Sequence, residues 1–361
     1  MRRSIHALAL ALLLGGCGGS GGDGPVGPGP GPTPSCTFLN PLADGQDPWV
    51  VKRDSLYYLV QSRGNGIWVS RSSKLTQVNR NAVQVWAAPD TGWNRTNVWA
   101  PELHFIDGRW YIYYAAGRPG PSEAPFIFQR AGVLRSVSDD PQGKYEDLGQ
   151  LDTGGDGATR VDDMWAIDLN VTRINGQMYA VWSGWENNSS LARTPQHLYI
   201  ARMSSPWTIG SARVRLSSPT EGWERGTQLD LQEGPTFLQR GGQTFIVYST
   251  RESWLPDYRL GLLRLSSPDA DPLSPASWTK TGPVFAAAGD VHGPGHASFT
   301  VSPDGREDWI VYHSKTSTAP GWERVIRMQK FGWAADGSPS FGAPVPRGQE
   351  IASPSGECRP G

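Results

Sequence analysis

Three acidic residues in this sequence stand where a carboxylate could do chemistry. Asp47 precedes a proline, Glu233 precedes Gly234 and Pro235, and Asp168 opens an apolar run. Because proline cannot donate to a β-ladder and glycine permits close backbone approach, we expect such an acid to lie outside regular strand pairing. A protonated acid and an ionised carboxylate held close together can perform general acid–base catalysis, and a third carboxylate would raise the pKa of the acid.

The same layout recurs five times, which weakens the simpler explanation of each acid as a turn cap or a backbone-bonded side chain. Each unit has a polar residue, a short strand, a tight turn and a second strand. Asp107-Gly108 and Asn175-Gly176 are strong hairpin signals between apolar runs. The leading residues are Asp47, Glu102, Asp168, Glu233 and His296, at separations of 55, 66, 65 and 63 positions.

A period near sixty with three or four strands per unit predicts an all-β fold, a five-bladed β-propeller. The composition of 44 Gly, 30 Pro and 16 Trp agrees with many short strands joined by turns. A β-sandwich is the competing fold, but its strands would not restart five times with the same layout. Since the first strand of each propeller blade lines the central channel, the leading polar residues should converge at one mouth of it.

The remainder of the chain predicts an exported, lipid-anchored protein. Residues 1–17 are predicted to be a lipoprotein signal peptide, because Arg2 and Arg3 precede a short apolar run. This segment ends in Leu14-Gly15-Gly16-Cys17, which resembles a bacterial lipobox acylated at Cys17. The alternative is an ordinary signal peptide in which Cys17 is incidental. Residues 18–35 hold eight Gly and five Pro and read as a linker, so residues 36–361 form the propeller domain.

Charge bears on the partners of the protein, and cysteine content bears on how the ends of its domain are joined. The 34 acidic and 33 basic residues nearly cancel, so no nucleic-acid partner is expected. Cys36 and Cys358 can pair in an exported protein, which requires the two ends of the domain to meet, as in a closed circular fold. The alternative is two unpaired thiols at frayed ends.

Several motifs together resemble glycoside hydrolase family 43, over residues 40–355. They are Asp47-Pro48 ahead of Tyr57-Tyr58, Asn97-Val98-Trp99-Ala100-Pro101-Glu102-Leu103, Ala166-Ile167-Asp168 and Glu233-Gly234-Pro235. The resemblance implies a five-bladed propeller and inverting chemistry. By motif, Asp47 would be the general base that activates water, Glu233 the general acid, and Asp168 the residue that raises the pKa of the acid and orients it. Inversion also requires roughly 6.5–9.5 Å between base and acid.

A second set of motifs is similar to the exo-α-1,5-L-arabinofuranosidase branch of that family. These are Trp182-Ser183-Gly184-Trp185-Glu186, Gly293-Pro294-Gly295-His296, residues 307–313 and Gln329-Lys330-Phe331. The branch implies release of L-arabinose from the non-reducing ends of α-1,5-arabinan or arabino-oligosaccharides, with plant cell-wall saccharide as the partner. β-Xylosidase and endo-arabinanase activities remain alternatives within the same fold. A non-catalytic surface propeller that binds sugar is a third.

Trp99 is the first candidate to stack on a sugar ring, followed by Trp165 and Trp49, because apolar sugar faces favour aromatic platforms. His296 should face the channel, where it could contact substrate. The resemblance implies that it could instead be a ligand of a central Ca²⁺ or Na⁺, whereas a hydrogen-bonded structural histidine is the simpler reading. No cofactor is expected to be required, and the protein is expected to be a monomer.

Overall fold

The computed structural model describes residues 36–154 and 164–358, which form one two-stranded sheet and five larger β-sheets arranged as a five-bladed propeller. The predicted fold is therefore confirmed. Short 3₁₀ turns at Leu75–Gln77 and Pro275–Ser277 interrupt the strands. In these two described ranges, no helix has the length and apolarity needed to cross a membrane. The predicted signal peptide with Cys17, and the predicted linker, lie outside the described residues.

The first two blades follow a pair of short strands. The short strands are β1 (Thr37–Phe38) and β2 (Ala43–Asp44). Blade 1 consists of β3 (Trp49–Arg53), β4 (Leu56–Arg63), β5 (Gly66–Ser72) and β6 (Val83–Ala87). Blade 2 consists of β7 (Thr96–Ile106), β8 (Arg109–Gly117), β9 (Arg130–Ser136) and β10 (Tyr145–Gln150).

The other three blades repeat this antiparallel order. Blade 3 consists of β11 (Ala166–Ile174), β12 (Gln177–Gly184), β13 (His197–Ser205), β14 (Thr208–Ile209) and β15 (Val214–Ser217). Blade 4 consists of β16 (Gln232–Arg240), β17 (Gln243–Thr250), β18 (Arg259–Leu265) and β19 (Trp278–Phe285). Blade 5 contains β20 (His292–Val301), β21 (Asp308–Lys315), β22 (Arg324–Trp333) and β23 (Pro339–Ser340), and β24 (Ile351–Ala352) follows it.

The inner strands β3, β7, β11, β16 and β20 contact one another in sequence around the central channel. Each turns back into the second strand of its blade through a tight hairpin. Asp107-Gly108 and Asn175-Gly176 have positive φ at both positions, as the sequence signal requires, because this backbone matches the twist of the flanking strands. All five hairpins therefore lie on one side of the disc, which we call the hairpin face. The starts of the inner strands lie on the other side, the mouth face.

The ring is closed by strands from both ends of the domain. The short strand β2 pairs with β22 and becomes the outermost strand of blade 5, and β1 pairs with β24. A disulfide joins Cys36 to Cys358, whose Cα atoms are 6.1 Å apart. The sequence does not reveal the role of β2, because a two-residue strand carries no alternating pattern.

The apolar core lies between neighbouring blades. Trp110, Trp182 and Trp309 are almost completely buried in three different inter-blade clusters. Burying a large apolar side chain contributes about 1.5–3 kcal/mol, so these contacts hold the blades in a fixed arrangement around the channel. Much of the tryptophan content therefore serves the scaffold.

Candidate functional site

A backbone irregularity of one kind recurs on the mouth face in all five blades. At the equivalent place in each blade one residue has a left-handed conformation with φ between 41° and 56°, and in blades 2 and 5 the residue three positions earlier, Asn97 or Gly293, is also left-handed. In β7, β11, β16 and β20 the pairing register also shifts at this place, which is the mark of a β-bulge. The five residues are Asp47, Ala100, Asp168, Gly234 and His296. A bulge re-aims a side chain out of the ladder, so this repeated distortion turns side chains into the channel mouth.

Two of the leading residues predicted from the sequence are displaced from this set. Glu233 comes one residue before Gly234 and still reaches the mouth. Glu102 comes two residues after Ala100, so it lies deeper in the channel, where its Oε2 atom is 3.0 Å from Nε2 of His104. A period of about sixty residues located the five units, but it could not resolve an offset of one or two positions.

The residues two positions after each distortion link the blades below the mouth. Each takes part in a hydrogen bond to the inner strand of a neighbouring blade, either as donor or as acceptor. The donors and acceptors are Trp49 Nε1 to Leu103 O (2.8 Å), Asn170 Nδ2 to Glu102 Oε2 (2.6 Å), Phe237 N to Asn170 Oδ1 (2.9 Å), Thr236 Oγ1 to Ala297 O (2.8 Å) and Val50 N to Ser298 Oγ (3.1 Å). This belt fixes the inner strands relative to one another directly beneath the carboxylates.

Three side-chain nitrogen atoms lie close to one oxygen of Asp47. Oδ1 lies 3.3 Å from Nδ1 of His296, 3.2 Å from Nδ1 of His313 and 3.4 Å from Nη1 of Arg324. Burial alone would raise the pKa of Asp47, but the charges of His296 and Arg324 lower it, so the pKa lies well below its usual value. Asp47 is therefore ionised at neutral pH.

Glu233 has the opposite environment. It is 8% exposed, and burial raises its pKa to about 7, although Tyr258 opposes the shift by donating its hydroxyl hydrogen to Oε1 at 2.9 Å. The charge of Asp47 raises the pKa further, and Arg324 lowers it. A carboxylic acid with this pKa holds its proton for much of the time near neutrality.

Asp168 lies beside Glu233 on the neighbouring inner strand. Its Oδ2 atom accepts a hydrogen bond of 2.8 Å from the amide of Gly234, the residue that follows Glu233. Burial raises the pKa of Asp168 well above its usual value, and the charges of Glu233 and Asp47 raise it further. The predicted trio of Asp47, Asp168 and Glu233 thus lines one cavity, with one ionised member and two whose protonated forms are favoured.

His296 belongs to the same cluster. The structure gives it a partner carboxylate that the sequence does not reveal, because its Nδ1 atom lies 3.3 Å from Asp47. Its amide donates to Ser249 Oγ at 2.8 Å, and burial lowers its pKa. A cation such as Ca²⁺ takes six to eight oxygen ligands. Across residues 36–154 and 164–358, no group of three or more His, Cys, Asp or Glu side chains could hold a metal, so these side chains alone do not fit one.

The cavity at the mouth has a volume of about 750 Å³ and aromatic walls. Trp99 and Trp165 both line it, as the sequence analysis expected of sugar-stacking residues. Trp165 stacks on Trp185 with ring centroids 4.6 Å apart and planes within 4°. On another wall Trp254 lies 5.3 Å from Trp322, which is 53% exposed at the rim.

Trp49 does not share this cavity. Its indole donates to Leu103 O in the belt and lies 4.7 Å from the His104 ring, so it lines a second cavity of about 680 Å³ on the hairpin side of the channel. Its nearness to Asp47 in the sequence does not bring it to the mouth, because Asp47 has a left-handed backbone and precedes β3, whereas Trp49 is the first residue of that strand.

Four residues that contact the carboxylates were not selected from the sequence as site residues, and one of them is Ser253, which bonds to Glu233. Arg324 and His313 reach Asp47 from the start of β22 and the end of β21, and Tyr258 reaches Glu233 from just before β18. Arg324, His313 and Tyr258 lie on or beside the second and third strands of their blades, whereas the repeated sequence pattern singles out residues of the inner strands. Arg324 and Arg327 are three positions apart on β22, so their side chains should point to opposite faces of the strand. The structure agrees, because Arg327 donates instead to Val345 O.

A model of the family described as glycosyl hydrolases family 43 matches residues 38–339. The chain belongs to this family. The family match covers all five blades and each of the carboxylates at the mouth.

Individual relatives have narrower descriptions. The chain is 36% identical to an extracellular exo-α-(1→5)-L-arabinofuranosidase of Streptomyces avermitilis, over 88% of this chain and 65% of that protein. It is 33% identical to α-L-arabinofuranosidase 43 of Humicola insolens, over 96% of this chain and 70% of that protein. The crystal structure of an α-L-arabinofuranosidase from Lactobacillus brevis superposes with a TM-score of 0.77 at 32% identity, covering 86% of this chain and 98% of that one.

Proposed function

We propose that this protein is an inverting glycoside hydrolase that releases L-arabinose from the non-reducing ends of α-1,5-arabinan or arabino-oligosaccharides. One observation carries the proposal: an ionised Asp47 and a Glu233 whose pKa is raised to about 7 line the same aromatic cavity. Inverting hydrolysis of a glycosidic bond uses one carboxylate as base and one carboxylic acid as proton donor. The arabinofuranosidases of S. avermitilis and H. insolens support the choice of sugar.

The proposed reaction is a single displacement. Asp47 takes a proton from a water molecule, whose oxygen attacks the anomeric carbon, while Glu233 gives its proton to the oxygen of the departing sugar. Because three nitrogen-bearing groups crowd Oδ1 of Asp47, we assign Oδ2 as the atom that receives the proton. Asp168 accepts a hydrogen bond from the amide next to Glu233, and we assign it the role of orienting the acid.

The walls of the cavity support exo action. Trp99 and Phe126, in edge-to-face contact at 4.7 Å, close one side, and the Trp254–Trp322 pair closes another. A cavity of about 750 Å³ with such walls suits a chain end better than the middle of a polymer. An endo-arabinanase would need an open groove, and a binding module would need no acid poised beside a base.

The cellular setting is part of the same proposal. The S. avermitilis relative is described as extracellular, and an exported protein agrees with the disulfide between Cys36 and Cys358. We propose lipid anchoring through Cys17 and a monomeric domain. No metal takes part in the proton transfers proposed here. A Ca²⁺ or Na⁺ near His296 would need ligands besides the described side chains.

The direct test incubates purified protein with linear α-1,5-arabinan and with arabinofuranosyl and xylopyranosyl p-nitrophenyl glycosides. We expect arabinose as the only early product from arabinan, and proton NMR should show the inverted anomer first. Xylose release without action on arabinan would overturn the sugar assignment. Early release of long oligosaccharides would overturn exo action, and binding without turnover would favour the sugar-binding propeller.

A further inference from the structure

Two buried rings between blades 4 and 5 connect the two halves of the site. Tyr258 and His313 are both 0% exposed and stack with centroids 5.5 Å apart and planes within 11°. The Tyr258 hydroxyl donates to Oε1 of Glu233 at 2.9 Å, and the amide of Asp47 donates to Nδ1 of His313 at 3.1 Å. A single stacked pair therefore contacts both the acid and the backbone of the base.

We propose that Tyr258 and His313 are positioning residues, acting as one brace that sets the placement of Asp47 relative to Glu233. The proposal rests on the function proposed above, because it assigns the brace to the same acid–base reaction. Neither ring needs to touch substrate. Each acts through the carboxylate, or the backbone of the carboxylate residue, to which it is bonded.

The geometry assigns the tautomer of His313. Burial lowers its pKa to about 3, so the ring is neutral and carries one N–H near neutral pH. The backbone fixes the direction of the Asp47 amide hydrogen, which points at Nδ1. Nδ1 therefore accepts, and the hydrogen resides on Nε2. In the described part of the chain, Nε2 is buried and has no hydrogen-bond partner, so the Nδ1 contact is what orients the ring.

The brace supports a backbone conformation that a non-glycine residue rarely adopts. Asp47 has φ 47°, in the left-handed region. If His313 lost its acceptor, the Asp47 amide would be left without this bond in a buried site, and the residue could relax towards ordinary extended geometry. The carboxylate would then move away from the cavity.

Gly295 provides the space that the brace occupies. It pairs with His313 across β20 and β21, and a Cβ atom at this position would lie 2.3 Å from the Tyr258 ring. Any side chain here would displace the ring from His313 and from Glu233. The second glycine of the Gly293-Pro294-Gly295-His296 motif is therefore needed to leave room for the Tyr258 ring.

The first experiment compares Tyr258→Phe with the matched control Tyr312→Phe in the full-length protein. Tyr312 is equally buried and adjacent to His313, but its hydroxyl contacts Gln329 at 3.1 Å. Tyr258→Phe keeps the stacked ring and removes only the bond to Glu233, so kcat should fall on the order of tenfold, with KM little changed. Tyr312→Phe should keep the wild-type kcat.

The pH profile separates positioning from a general packing role. The Tyr258 bond lowers the pKa of Glu233, so its removal raises that pKa and keeps the acid protonated to higher pH. The basic limb of kcat/KM should therefore shift to higher pH in Tyr258→Phe and stay in place in Tyr312→Phe. The other polar and charged groups that face Glu233 are unchanged in both variants; they are Asp47, Asp168, Arg324 and Ser253.

The second experiment compares His313→Phe with His313→Asn. Phenylalanine keeps a ring for stacking but has no acceptor for the Asp47 amide, so kcat should fall about 10- to 100-fold. The Oδ1 atom of asparagine can occupy the place of Nδ1, so His313→Asn should recover most of that loss. Equal kcat values in the two variants would overturn the role assigned to Nδ1, and so would a wild-type basic limb in Tyr258→Phe.

A measurement that does not depend on turnover keeps the two proposals distinguishable. In wild-type protein labelled with ¹⁵N-histidine, the ¹⁵N NMR signals that disappear in His313→Asn should show Nδ1 unprotonated and Nε2 protonated at pH 7. A protonated Nδ1 would overturn the brace even if the enzyme is active. If wild-type protein releases no arabinose while the tautomer is as assigned, the proposed function fails and the geometry of the brace stands.

Discussion

Replacing Glu233 with glutamine tests the assignment of the acid most directly. Glutamine keeps the shape of the side chain but has no acidic proton to give to the leaving group. General acid catalysis typically contributes 10²–10⁴-fold, so kcat on arabino-oligosaccharides should fall by about this factor. An aryl arabinofuranoside with a good leaving group needs little protonation and should lose much less.

The pH dependence of kcat/KM gives a second quantitative test of Glu233 as the acid. With a pKa of about 7, about nine in ten Glu233 side chains hold a proton at pH 6 and about one in ten at pH 8, because each pH unit changes the ratio tenfold. Wild-type kcat/KM on arabinotriose should therefore fall about tenfold between these pH values.

In Glu233→Gln the residual activity on the aryl substrate should lack this basic limb, since no group at position 233 titrates. The assay is initial rate against pH, with sugar release measured by chromatography and phenol release by absorbance. If the variant keeps a near-wild-type rate on oligosaccharide, or keeps the limb near pH 7, Glu233 is not the acid and the proton comes from elsewhere.

Three further substitutions test other parts of the site and scaffold. Asp47→Asn should lower kcat by about 10²–10⁴-fold on every substrate, including the aryl glycoside, while calorimetry still detects oligosaccharide binding; turnover confined to good leaving groups would contradict its role as base. Trp99→Ala should raise KM about tenfold with a smaller change in kcat, because a stacking surface is lost; an unchanged KM would place the sugar elsewhere. Replacing both Cys36 and Cys358 with serine should lower the free energy of unfolding by up to about 4–5 kcal/mol through loop entropy, measured by denaturant titration; equal stability would show that β1 and β24 hold the ends unaided.

The sequence was sufficient for the fold because each blade restates the same local signals. Hairpins such as Asn175-Gly176 fix strand order without any long-range information, and five repeats leave few alternatives. What could not be predicted is pairing between distant segments. β2 completes blade 5 although about 280 residues separate its two residues from their partners Val325 and Ile326.

The same distinction between local signals and long-range contacts applies to the residues of the site. Asp47 and Glu233 stand next to proline or glycine, and Asp168 opens the third repeat, so local sequence marks all three. His313, Tyr258 and Arg324 stand in ordinary strand contexts, and only tertiary packing brings them to the carboxylates. The pKa of Glu233 has the same origin, since burial is its largest cause and burial follows from the assembled blades.

The position of the disulfide has a consequence for how the enzyme meets its substrate. Cys36 precedes β1, where Phe38 packs on Trp309 near the hairpin of blade 5, and Ser355, three residues before Cys358, bonds to Asp304 within that hairpin. Both ends of the domain are thus fastened to the hairpin face, opposite the carboxylates. The described chain therefore begins on the face away from the carboxylates, and a contact made at that face leaves the mouth accessible to polymer ends.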